Sequence, residues 1–174
     1  MEPNNVRSFS GFLLAGAALV ALAIYLVLHG VLNPDEGFYL AAAHFVAQGH
    51  IPYRDFGYTQ APLLPYVNLP WLHLFGFTLA GQRLAALTWT LLAVASGVIW
   101  LVRRERSWWP ATLFVLLLLG SPLWLAFSVE GKTYGCAALA VLIGSIAVLS
   151  ARPWLIRWPV FVAAATVGVG VRYP

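Results

Sequence analysis

From Phe9 to Leu32 the chain contains no Asp, Glu, Lys or Arg, and nearly every residue is apolar. About 20 such residues in a row are what an α-helix needs to cross the hydrocarbon core of a bilayer. Further apolar runs follow at Leu84–Val102, Ala111–Phe127 and Tyr134–Leu149, and a last one begins at Trp158. With 61% hydrophobic and 9% charged residues and a mean hydropathy of +0.81, the chain cannot cover itself with polar side chains in water. A soluble domain carries about 25% charged residues. The sequence therefore reads as an all-α, polytopic membrane protein of about five spans.

The first span is placed at 9–32. Arg7 in front of it and Ala21-Leu22-Ala23 within it would suit a signal peptide. The run continues through Ile24–Leu28, however, beyond the usual apolar region of such a peptide, so it reads as an uncleaved anchor. Spans 84–102, 111–127 and 134–149 follow, and a fifth occupies 158–174. That last run stops at Arg172-Tyr173-Pro174, which points to the N-terminal part of a larger transmembrane domain, apparently truncated. Tryptophans 108, 109, 154 and 158 fit the aromatic belt at a membrane interface.

Residues 33–78 form a large first loop. Within it 61–77 is apolar, but Pro62, Pro65 and Pro70 oppose a spanning helix. If 61–77 does not span, Arg7, Arg103, Arg104, Arg106, Arg152 and Arg157 all fall on one side, the cytoplasmic one by the positive-inside rule. Residues 61–77 then lie as juxtamembrane helices in the opposite interface. The N-terminus is cytoplasmic on this reading. The first loop, with Asp35, Glu36, Asp55 and later Glu130, is extracytoplasmic, in a bacterial-type inner or plasma membrane.

The net charge of +4 and a pI near 9.6 do not indicate nucleic acid. Nine of the ten basic residues are Arg, and they sit at the ends of apolar runs, not in one patch. The single cysteine, Cys136, reads as a small residue at a helix interface. Gly131-Lys132-Thr133 resembles the end of a P-loop, but Ala126 stands where the first glycine belongs. His29, His44, His50 and His73 lack the spacing of a zinc site.

The chemistry-bearing stretch is Asn33–Tyr39, NPDEGFY, directly after the first span. A helix is expected over 35–48, with Asp35 as its N-cap and Gly49 as its stop. Capping would account for both acids. Ionisable groups against a membrane are also costly and tend to be functional. The loop continues as HIPYRDFGYTQAPLLPY, in which Arg54 and Asp55 sit among Tyr53, Phe56, Tyr58 and Gln60, stiffened by prolines. Such a loop suits an amphipathic ligand, with rings for sugar faces, a guanidinium for phosphate and carboxylates for hydroxyls.

PDEGFYLAAAHFVAQGHIPYRDFGYTQAPLLPY resembles the first periplasmic loop of GT-C glycosyltransferases, of the branch similar to protein mannosyltransferases and lipid A aminoarabinose transferases. The resemblance implies that Asp35 and Glu36 belong to the active site, and that Arg54, Asp55, Tyr58 and Gln60 lie beneath it. Glu130, Lys132 and Tyr134 match the family's second-loop pattern of acid, base and tyrosine. The resemblance spans the chain but only the N-terminal part of such enzymes. It further implies transfer of a sugar from a polyprenyl-phosphate donor to a lipid or glycan acceptor outside the cytoplasm.

Such a transfer needs a base for the acceptor hydroxyl, here Asp35, with Glu36 as a second carboxylate and Asp55 as runner-up. It also needs cations for the departing phosphate, with Arg54, Lys132 and Arg172 as candidates. A single displacement inverts the anomeric centre. No cofactor is required; a divalent metal held by Asp35, Glu36 or Asp55 is left open. The rival readings are a transporter or flippase for lipid-linked sugars and a non-catalytic assembly subunit. Transporters usually show inverted repeats and broken central helices, and no internal repeat is visible in this sequence.

Overall fold

The computed structural model describes residues 3–150 and 152–172. Among the described residues there are eight helices: α1 (Pro3–His29), α2 (Pro34–Ala47), α3 (Leu63–Phe75), α4 (Leu79–Glu105), α5 (Trp109–Leu119), α6 (Pro122–Val129), α7 (Tyr134–Leu149) and α8 (Trp154–Arg172). No strand occurs among the described residues, only an isolated bridge between Pro52 and Phe56. Three helices, α1, α4 and α8, are long and apolar enough to cross a membrane. A fourth span results if α5 and α6 are taken together.

This differs from about five spans in three places. The run 111–127 is not one rod, because α5 and α6 meet at an angle of 83°. Gly120 ends α5, the Ser121 hydroxyl caps α6, and Pro122 occupies the start of α6, where its missing N–H costs nothing. The expected span 134–149 is α7, of 16 residues, and at 1.5 Å per residue it covers about 24 Å, short for a bilayer core. The fifth run starts earlier than 158, since α8 begins at Trp154 with Pro159 inside it; residues 173–174 of that expected span lie outside the described residues.

The first loop folds into α2 and α3, as its pattern suggests. At 13 residues α3 is too short to cross, despite its apolar sequence. It lies against α4, where the Trp89 indole N–H donates to Asn68 Oδ1 at 2.9 Å. One correction concerns α2. Its N-cap is Asn33, not Asp35: the Asn33 side chain accepts from the Asp35 N–H at 3.1 Å, and Glu36 returns a bond to the Asn33 N–H. Pro34 follows Asn33 and can only begin a helix, so the cap falls one residue ahead of it.

Small residues set the helix crossings. Ala15, Leu19, Ala23 and Val27, four apart, form the buried stripe of α1, and the first two meet Ala111 and Val115 of α5. Helix α7 runs parallel to α4 and antiparallel to α8. Gly135 lies against Ala86 and Thr90, Gly97 against Leu142, and Gly144 against Phe161 and Ala164.

The chain thus has two ends. At one, the C-termini of α1 and α8 meet the N-termini of α4 and α7. At the other, Asn5, Trp108, Arg103 and Ser150 gather.

A Cβ at Gly135 would sit 2.6 Å from the Ala86 carbonyl oxygen and 2.7 Å from Thr90 Oγ1, whereas one at Gly16 meets nothing within 4 Å. Gly135→Ala should lower thermal stability in detergent by about 1–3 kcal/mol. Gly16→Ala should leave it unchanged or slightly raised. Equal melting temperatures for the two variants would refute this crossing.

Candidate functional site

The site grows from the end of α1. A helix leaves its last carbonyls without intrahelical partners. Here Arg83, in the first turns of α4, supplies donors: Nη1 reaches the carbonyls of Val27 at 3.2 Å and Gly30 at 3.1 Å, and Nη2 reaches Val31 at 2.9 Å. Its remaining N–H groups form a forked pair with Glu36, Nε to Oε1 at 2.8 Å and Nη2 to Oε2 at 2.7 Å. All five guanidinium N–H groups therefore have acceptors, which is the condition for burying a charge. The Arg83 side chain is 6% exposed and that of Glu36 0%.

Glu36 Oε1 also accepts the Gly131 N–H at 2.8 Å. This fixes the connection between α6 and α7, and Gln82 Nε2 donates to the Gly131 carbonyl at 2.9 Å from the other side. The approach depends on glycine, since a Cβ at position 131 would lie 2.6 Å from Gln82 Cγ. Burial raises the Glu36 carboxyl, but hydrogen bonds from Arg83, Gly131 and Asn33 outweigh it and leave the group below its ordinary value.

The held connection presents Lys132. Its Nζ lies 2.8 Å from Asp35 Oδ2 and 3.8 Å from Glu130 Oε2, while Asn33 Nδ2 reaches Glu130 Oε1 at 3.4 Å. Burial pulls the Lys132 ammonium down, yet Asp35 and Glu130 more than compensate and raise it. The Asp35 side chain remains 65% exposed. Arg172, at the end of α8, donates to Thr133 Oγ1 at 2.9 Å, and its guanidinium lies 4.4 Å from the Tyr134 ring centroid. Tyr39 is buried beside this cluster, and burial raises its hydroxyl.

Of the sequence-derived candidates, Asp35, Glu36, Glu130, Lys132, Tyr134 and Arg172 come together. The two adjacent carboxylates differ, however: Asp35 faces out, and Glu36 is sealed with Arg83. Among the described residues, Arg54, Asp55, Tyr58 and Gln60 make no hydrogen bond or ion pair to that cluster. Arg54 pairs with its neighbour Asp55 at 2.8 Å, and Asp55 also accepts the Ile51 N–H, which together bring the carboxyl down to about 2. Tyr58 stacks on Phe38 in the core that contains Leu64 and Val171, and the Gln60 carbonyl accepts the Tyr53 hydroxyl. Among the described residues no three His, Cys, Asp or Glu side chains converge as metal ligands, and of the three carboxylates named for a metal both Glu36 oxygens are engaged by Arg83.

Arg83 was not singled out by the sequence; Gly131 and Thr133 entered only through the rejected P-loop likeness, and Asn33 only as the start of NPDEGFY. An arginine at the first turn of a span is the signal that could have marked Arg83, since such a charge needs a counter-ion. Comparison with protein-family models, curated proteins and solved structures finds no match to this chain.

Removing one partner of the buried pair should cost about 3–5 kcal/mol, and replacing both with apolar residues much less. Glu36→Gln and Arg83→Met should therefore each lower the melting temperature more than the Glu36→Leu/Arg83→Met double variant. Because the folded Glu36 value lies below 4.5, its stabilisation is present above that pH and is lost as pH falls through the lowered value. The acid limb of a stability–pH curve should flatten in the double variant. An unchanged limb, or additive losses, would contradict the pairing.

Proposed function

We propose that this chain forms part of a membrane glycosyltransferase that moves a sugar from a polyprenyl-phosphate donor to the hydroxyl of a lipid or glycan acceptor. The reading rests on one observation above others: an exposed carboxylate, Asp35, is held 2.8 Å from a mostly buried ammonium, Lys132, at one end of an apolar bundle. A base and a phosphate-binding cation side by side at a membrane surface are what this reaction needs.

In the proposed step Asp35 takes the acceptor proton as the acceptor oxygen bonds to the anomeric carbon. The bond from that carbon to the phosphate oxygen breaks, and the phosphate departs with the electron pair toward Lys132 and Arg172. One displacement inverts the centre. Glu36 takes no part; it holds the Gly131 connection from which Lys132 projects. Glu130 and Tyr134 flank the two cations. Arg54 and Asp55 are assigned to the loop, not the reaction. The arginine-rich opposite end supports a cytoplasmic N-terminus and an extracytoplasmic site in a bacterial-type inner or plasma membrane.

A second reading, a carrier of lipid-linked sugars without chemistry, is favoured by the 83° break between α5 and α6. A cavity of about 490 Å³ beside it, lined by Phe114, Trp124 and Tyr134, points the same way.

Membranes containing the protein should transfer radiolabelled sugar from polyprenyl-phosphate donors. Asp35→Asn should reduce transfer by about 10²–10⁴-fold with insertion unaffected. Undiminished transfer in that variant would reject Asp35 as the base. Translocation of the donor without any transfer would favour the carrier.

A further inference from the structure

We infer that the end of the bundle opposite Asp35 carries a binding site for an anionic glycerophospholipid, seated between α4, α7 and α8. A cavity of about 410 Å³ opens there, and three arginines line it: Arg103 near the C-terminus of α4, Arg152 in the α7–α8 connection, and Arg157 near the start of α8. No carboxylate pairs with any of the three among the described residues. The contrast with neighbouring Arg104 is direct, since that side chain has Glu105 at 3.5 Å and lies over the Trp100 ring.

Arg157 supplies the sharper observation. It is half-buried, and its Nε is shielded from solvent with no hydrogen-bond partner among the described residues. The Arg157 side chain as a whole makes no hydrogen bond among the described residues, and a phosphate oxygen in the cavity is an acceptor whose geometry and charge suit a half-buried guanidinium. The Ser150 hydroxyl lines the same cavity. The positive N-terminal end of α8 lies beside it and adds to the attraction for an anion.

The rest of the wall sets the class of anion. Ile99, Ile146 and Val160 line the cavity beside the arginines, and Trp100 lies at the same level. A free phosphate would leave this apolar surface uncovered, whereas a glycerophospholipid covers it with the first methylenes of its acyl chains. Basic pockets between membrane helices are known hosts for anionic head groups. The occupant is accordingly a phosphatidylglycerol-type lipid from the adjoining leaflet, bound independently of any chemistry at Asp35.

The test is native mass spectrometry of the delipidated protein in neutral detergent, with phosphatidylglycerol, phosphatidylcholine or inorganic phosphate added separately. One phosphatidylglycerol should be retained per chain, and phosphatidylcholine of equal chain length should not. Inorganic phosphate should neither bind nor compete at the same concentration. The Arg103→Gln/Arg157→Gln variant should weaken retention by about tenfold or more. The corresponding lysine variant should recover part of it, and Arg54→Gln, at the other end, should bind as the parent does. Equal retention of both lipids, displacement by inorganic phosphate, or a glutamine variant that is folded by circular dichroism yet binds undiminished would each overturn the assignment.

Discussion

The forked pair between Glu36 and Arg83 joins four parts of the chain that hydrophobic burial alone would leave loosely related. Arg83 satisfies the Val27 carbonyl in the last turn of α1 and those of Gly30 and Val31 just beyond it, Glu36 completes the capping box that starts α2, and the Arg83 backbone belongs to the first turns of α4. The same carboxylate holds the Gly131 N–H and with it the connection that begins α7. Two charges this deeply buried are tolerable only because every donor on Arg83 finds an acceptor and Glu36 receives four hydrogen bonds in all. The pair works as a joint, and its contribution lies in geometry more than in net stability.

That joint explains why two acids stand side by side. Successive residues on a helix point about 100° apart, so α2 can turn Glu36 into the bundle and Asp35 away from it. Each then meets its own cation: Glu36 the buried Arg83, Asp35 the Lys132 ammonium that the Gly131 connection presents. A structural charge pair and an exposed, chemistry-capable one are built from neighbouring positions. Arg172 joins from α8, steadied by Thr133 and the face of Tyr134.

Much of the architecture was legible because hydrophobic runs announce spans, and α1, α4 and α8 lie where the runs do. Within the first loop the helices are Pro34–Ala47 and Leu63–Phe75, against the 35–48 and 61–77 expected. The break at Gly120-Ser121-Pro122 was hidden by averaging: Leu, Trp and Phe on both sides keep hydropathy high across a point where a cap and a proline end the rod. Asn33 and Asp35 are both good caps, and only the placement of Pro34 between them decides for Asn33. The partners of Arg83 were hidden for a different reason. They are 47 and 52–56 residues away in sequence, and no local pattern encodes a contact of that range. The loop pair Arg54–Asp55 shows the reverse, a conspicuous motif whose residues mainly satisfy each other.

The separation of the two carboxylates can be read directly in the unmodified protein by carbodiimide footprinting with mass spectrometry, which labels accessible carboxyl groups. Asp35 should be modified in the folded state while Glu36 stays protected until the chain is unfolded. Labelling of Glu36 at the rate of Asp35 in the folded protein would mean that no sealed pair with Arg83 exists, and the arrangement built on it would fail.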